Sequence, residues 1–298
     1  MKKNNYKRIL IFLIFVMVLQ VPLTIMYAKK KDNMYLTILM MTPALSMILT
    51  RIITREGFAD IRDNLNIKSN WSKYLKYYFM PFVLSFIGAI LYFGIMPSKF
   101  DPLGSHYARD LGTTNLKEYY STLLVVVPLA VIFNPIGGLI QCFSEEIAWR
   151  GYLFNKLSQI HKKTTAMIIS NTIWGLWHAP LIYLGFNYEL QSSIISIIAM
   201  VIFCNIVGAI CSYAYIETGS IAAPVIFHAA INGLDKLKPS SLFMSSSPNL
   251  LIGPNLIGIV GGIGLIIWGL LCYMKCYKSE QNIDEHKIKF LFKKNSNC

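Results

Sequence analysis

Charge is scarce in this chain. Asp, Glu, Lys and Arg make up 14% of its 298 residues, and 15 residues are acidic, where a soluble domain carries about 25% charged residues. Set against 54% hydrophobic residues and a mean hydropathy of +0.48, that scarcity excludes an ordinary soluble globular domain. Paired cysteine spacing is absent too: Cys142, Cys204, Cys211, Cys272, Cys276 and Cys298 lie mostly in or beside apolar segments and read as small hydrophobes, not as a disulfide scaffold or zinc ribbon. The chain has no HExxH, which excludes the common zincin signature, and no GxSxG elbow. No cysteine has a histidine at a motif spacing, so a serine or cysteine protease is disfavoured. No inverted repeat of the kind found in many transporters is visible.

Uncharged apolar sequence is what the chain has in abundance. Eight windows bounded by charge or turn residues run at 9–28, 34–50, 77–96, 120–143, 165–186, 192–216, 220–234 and 251–274. Most reach the roughly 17–25 residues that a helix needs to cross about 30 Å of hydrocarbon. The fold class expected is therefore all-α, a polytopic membrane protein with about eight transmembrane helices. The first window follows Lys2, Lys3, Lys7 and Arg8 like a signal peptide, but its length and the poor cleavage site at Met26-Tyr27-Ala28 favour a retained helix. The fourth helix would be too long unbroken from Tyr120 to Asn155, so a bend is expected near Pro135, Gly137 and Gly138. The segment from Arg51 to Lys76 alternates charged and apolar residues, which suits either an amphipathic surface helix or a solvated connector. Gly258 and Gly262 form a GxxxG spacing, with Gly261 and Gly264 beside them, expected to pack the last helix closely against a neighbour.

A net charge of +13 suggests nucleic acid only if the chain is soluble. Here the basic residues lie almost entirely between the windows and at the two ends, as membrane topology requires. Eight crossings with a cytoplasmic N-terminus put nineteen Lys and Arg on the cytoplasmic side and eight on the other, with Arg150 apart. The positive-inside rule then places both termini in the cytoplasm of a multi-pass cell-membrane protein, with Lys29, Lys30 and Lys31 on the disfavoured side.

Six polar residues interrupt the apolar windows. Ser144-Glu145-Glu146-Ile147-Ala148-Trp149-Arg150 continues the fourth, Trp174-Gly175-Leu176-Trp177-His178-Ala179-Pro180 sits in the fifth, and His228 and Asn232 lie in the seventh. At i, i+4 Glu146 and Arg150 share a helix face and can form a buried ion pair, while Glu145 points about 100° away. Pro180 removes the hydrogen bond due to the Leu176 carbonyl and loosens the backbone beside His178. His228 and Asn232 share a face one turn apart. Each ionisable group inside a span costs about 2.5–3.5 kcal/mol on insertion scales, so several in three neighbouring segments point to function. Counting 1.5 Å per residue puts Glu145, His178 and His228 roughly 12–20 Å from the cytoplasmic ends of their helices, in one layer.

These three groups resemble the signature of the CPBP family, also called the Abi or type II CAAX prenyl protease family: EExxxR, an aromatic-xxx-His, and HxxxN, in that order. The resemblance covers roughly residues 120–235, with Trp174 where the family usually has Phe. It implies a conical intramembrane polar cavity and an intramembrane endopeptidase. Glu145 and His178 would activate water, His228 and Asn232 would hold the oxyanion, and Glu146 with Arg150 would support them. The implied organisation is 1–118 for N-terminal helices and connector, 119–235 for the catalytic core, and 236–298 for the last helix and a basic tail. A metal-free mechanism is favoured, yet a zinc reading stays beside it, with Glu145, His178 and His228 as its three ligands.

The partners expected are the bilayer and a peptide or membrane-protein substrate cut in or near the cytoplasmic leaflet, with no nucleic acid. The resemblance implies peptide-signal precursors, bacteriocins and membrane proteins as substrates. Residues 295–298 are not themselves a CAAX box. Two other classes compete: a non-catalytic immunity or scaffolding protein of the same family that binds a toxin or signalling partner, and a transporter using the same groups as a proton relay.

Overall fold

The computed structural model describes residues 2–65, 67, 71–188 and 193–295, the last helix beyond residue 282 by its backbone alone. Among the described residues there is no β-strand. The order is α1 (Lys2–Lys30), α2 (Asn33–Ile53), α3 (Trp71–Ile95), α4 (His106–Leu111), α5 (Leu116–Phe133), α6 (Leu139–Ala148), α7 (Lys163–Trp177), α8 (Ala179–Tyr183), α9 (Ile194–Thr218), α10 (Ala222–Gly233) and α11 (Ile263–Asn295). A short helix, Ala59–Asn64, occupies the connector between α2 and α3, whose residues 66 and 68–70 lie outside the described ones.

Polar side chains mark where these helices begin. Asp32, Ser105, Asn115 and Ser193 each accept a backbone N–H of the first turn of the helix they precede, and Gly112 and Gly219 end α4 and α9 in the left-handed conformation. Within α2 the hydroxyls of Thr42, Ser46 and Thr50 each donate to a carbonyl of their own helix at 2.7 Å. In hydrocarbon no water is available to take those hydrogens, so the helix satisfies them itself.

The chain is an all-α polytopic membrane protein. Among the described residues, five helices are long and apolar enough to cross a membrane by length and composition: Lys2–Lys30, Asn33–Ile53, Trp71–Ile95, Leu116–Ser158 and Ile194–Thr218. Large apolar side chains such as Leu10, Phe86, Leu124, Ile140 and Ile194 stand exposed along them, a surface suited to lipid. Three expected windows differ. The fifth divides into α7 and α8, the seventh is the 12-residue α10, about 18 Å long, and residues 251–262 of the eighth are not helical.

The expected GxxxG helix face is therefore corrected. Pro254 and the glycines at 253, 258, 261 and 262 favour turns over helix, and the backbone closes on itself through Ile259 N–H to Leu251, Val260 N–H to Ile252 and Gly261 N–H to Gly253, at 2.8–3.2 Å. The small residues still allow close approach, since a Cβ on Gly88 of α3 would overlap the Gly261 carbonyl. The expected bend is present as a 3₁₀ turn, Asn134–Gly138, followed by α6 and a π-helical turn, Trp149–Phe154. Gly175 brings α7 against α9, where a Cβ would lie 2.7 Å from the Val201 Cα.

The two ends of the bundle differ in character. At the end holding the N-terminus, Glu56 binds Arg8 at 3.5 Å, the Tyr152 hydroxyl at 3.2 Å, and Lys156. Nearby, Arg51 forms two 2.7 Å bonds with the Asp60 carboxylate. At the opposite end, Asp101 N–H donates to the Phe243 carbonyl, and the Tyr119 hydroxyl to the Leu242 carbonyl, tying the α3–α4 loop and α5 to the 239–243 segment.

Candidate active site

Continuing α6 into a π-helical turn carries Glu145, Glu146 and Arg150 into the protein interior. Glu146 and Arg150 are fully buried and form the expected ion pair, Nη1 to Oε1 at 2.8 Å. The same Oε1 accepts His228 Nδ1–H from α10 at 2.9 Å, so one carboxylate oxygen joins the first and third motifs. The Arg150 guanidinium lies 4.3 Å from the Trp174 ring centroid, a stacking that a planar cation favours.

Pro180 shapes the second motif through the backbone. With its ring blocking α7 from continuing, α7 ends at Trp177, and His178 N–H bonds to Gly175 three residues back at 3.1 Å. That leaves the Trp174 carbonyl free, and His178 Nδ1 lies 2.9 Å from it. A carbonyl only accepts, so Nδ1 carries the hydrogen and Nε2 is the acceptor nitrogen. Trp174 faces the other way with its indole: Nε1–H donates to Glu145 Oε2 at 2.8 Å. Its ring makes edge contacts with both His178 and His228, at centroid distances of 5.6 and 5.3 Å.

Glu145, His178, His228 and Asn232 all line one cavity of about 580 Å³, the size of a ligand site. Their exposure is graded. Glu145 is 1% and His228 5% exposed, His178 is half-buried, and Asn232 is exposed, its amide donating to Cys142 Sγ at 3.4 Å. Among the described residues no three His, Cys, Asp or Glu side chains group so as to hold a metal ion. Glu145, His178 and His228, which line the same cavity, form no such group.

Several partners were invisible in sequence. Asn171 is fully buried, with Arg150 Nη2 at 3.5 Å and the Tyr273 hydroxyl at 3.2 Å. Its place seven residues before His178, on the Trp174 side of α7, is the one signal that could have found it. Gly208 of α9 makes room for this group, since a Cβ there would overlap the Asn171 amide and approach Arg150 Nη2 to 2.8 Å.

Residues 121–234, which contain all six motif residues, match the family described as type II CAAX prenyl endopeptidase Rce1-like. The match supports the CPBP, or CAAX protease, family for this segment. A CAAX prenyl protease 2 of Methanococcus maripaludis is 33% identical over 98 residues, covering 32% of this chain and 36% of that protein. The chain thus aligns with little more than a third of the relative's length.

Proposed function

We propose that the chain is an intramembrane endopeptidase of the CAAX-protease kind, cutting a membrane-associated peptide or protein. The observation that carries this reading is the meeting of Glu145, His178, His228 and Asn232 from three helices on one cavity wall. Glu145 is the general base: Trp174 holds Oε2, and Oε1 takes the proton as water attacks the scissile carbonyl carbon. His178 Nε2 orients the same water. The new oxyanion accepts hydrogen bonds from His228 Nε2 and the Asn232 amide. Because Nδ1–H of His228 is committed to Glu146, Nε2 donates only when both ring nitrogens carry hydrogen, and Glu146 is the counter-ion of that form. Collapse of the tetrahedral intermediate breaks the C–N bond, and the proton held by Glu145 goes to the leaving amine. Glu146 and Arg150 position His228 and Trp174.

Residues 119–235 form the catalytic unit, the segments 1–118 and 236–298 flank it, and both termini face the cytoplasm. Expressing Glu145→Ala, His178→Ala and His228→Ala at wild-type levels is expected to accumulate an uncut precursor that wild-type cells lack. Normal processing by all three would overturn the reading in favour of non-catalytic binding. Water activation is assigned to Glu145 without a metal, so cleavage by the purified protein withstands a chelator; loss restored by added zinc would overturn that assignment.

A further inference from the structure

We propose that substrate reaches Glu145 from the end of the bundle that carries α4 and the 240–248 segment, opposite the basic end, so that the bond cut belongs to a peptide segment presented on the extracytoplasmic side. The inference rests on the protease reading above and reverses the cytoplasmic-leaflet approach expected from sequence. The cavity runs from Glu145 past Asn232 and Asp235 to His106, Arg109 and Ser246. Its rim is polar, with His106, Arg109, Ser245, Ser246 and Ser247 all exposed. Asp235 lies roughly 10 Å beyond His228 along the chain's helical rise, and burial falls steadily from Glu146 through His228 and His178 to Asn232 along that direction.

The opposite route is closed. Every residue from Ser144 to Phe154 is buried. Trp149 packs edge-on against Phe12 of α1 and Trp177 of α7 at 5.7 and 5.9 Å. Below it, Tyr152, Lys156 and Arg8 close on Glu56. A peptide entering there has to displace a packed aromatic layer and a partly buried ion network, whereas the other end is open. The basic residues supply the sidedness: they concentrate at the closed end, which the positive-inside rule puts in the cytoplasm.

The test uses the whole chain in intact cells, in a Cys298→Ser background; the described cysteines are buried. Ser246→Cys and, as a second rim position, Ser247→Cys are treated with a bulky membrane-impermeant maleimide, and each is compared with itself before labelling. Processing is read on the precursor that accumulates with Glu145→Ala. The expected result is labelling of both rim cysteines without permeabilisation, with loss of processing, while Lys3→Cys at the closed end labels only after permeabilisation and keeps its processing. Rim cysteines that label only after permeabilisation, or that label and still process, overturn the route. Normal processing by Glu145→Ala overturns the protease reading instead, so the two failures are distinct.

Discussion

Trp174 contributes to the site in two ways, and only one of them belongs to any aromatic residue. Its face receives the Arg150 guanidinium, which a Phe ring also accommodates. Its Nε1–H bonds to Glu145, which Phe cannot do. A hydrogen bond to a charged group contributes about 1.5–3 kcal/mol, so Trp174→Phe is expected to keep the fold and lower the cleavage rate on the order of 10- to 100-fold. A rate within twofold of wild type, measured on matched amounts of folded protein, argues against Glu145 as the base. At Gly208 the expectation is structural. A methyl group there meets Asn171 and Arg150, and overpacking of this sort costs about 1–3 kcal/mol. Gly208→Ala should therefore lower the melting temperature in detergent, and a melt unchanged from wild type counts against the close packing. Sequence made the Glu146–Arg150 pair legible, because both residues lie on one helix face. The bond from His228 to Glu146 was not, since it spans 82 positions and only packing brings α10 to α6.

Among the elements, the break between α7 and α8 makes the clearest link from sequence to chemistry. Pro180 was legible as a loosened backbone; what sequence did not reveal is that the 3₁₀ closure at His178 releases the Trp174 carbonyl to orient the imidazole. Pro180→Ala removes the obstacle, letting His178 N–H compete for that carbonyl. One ordinary hydrogen bond is worth about 1 kcal/mol, so a fall in cleavage of roughly fivefold is expected with expression unchanged; full activity would mean that the ring is held by other contacts. The last window was misread for a related reason. Apolar length suggests helix from residue 251, but four glycines and Pro254 between 253 and 262 favour turns, and α11 begins only at Ile263. At the closed end, Glu56 joins the α2–α3 connector to α1 through Arg8, to the π-helical turn through Tyr152 and to the segment beyond it through Lys156. Removing one partner of a buried pair costs about 3–5 kcal/mol. Because the Arg8 side chain is 25% exposed, Glu56→Ala is expected toward the lower part of that range, seen as a lower melting temperature.

For the molecule as a whole, composition revealed the membrane class, while the number of spans depends on packing that hydropathy does not report. Short helices such as α10 are sheltered by their neighbours, so their length in isolation says little about depth. The sidedness of the bundle rests on charge, and Lys29, Lys30 and Lys31 are its apparent exception. Their positions have a local cause. Lys29 and Lys30 occupy the last turn of α1, where the helix dipole favours cations by about 0.3–1 kcal/mol each. Lys30 and Lys31 also lie 5.7 and 5.5 Å from the Tyr35 and Tyr27 rings. If these lysines cap a helix and do not set topology, replacing all three by Gln changes the charge count from nineteen against eight to nineteen against five and leaves the orientation unaltered. In cells carrying that triple variant together with Lys3→Cys, an impermeant maleimide is expected to label Lys3→Cys only after permeabilisation, the same outcome as expected without the Gln substitutions. Labelling in intact cells would place the N-terminus outside and turn the cavity mouth toward the cytoplasm, so this measurement bears on the direction from which substrate arrives.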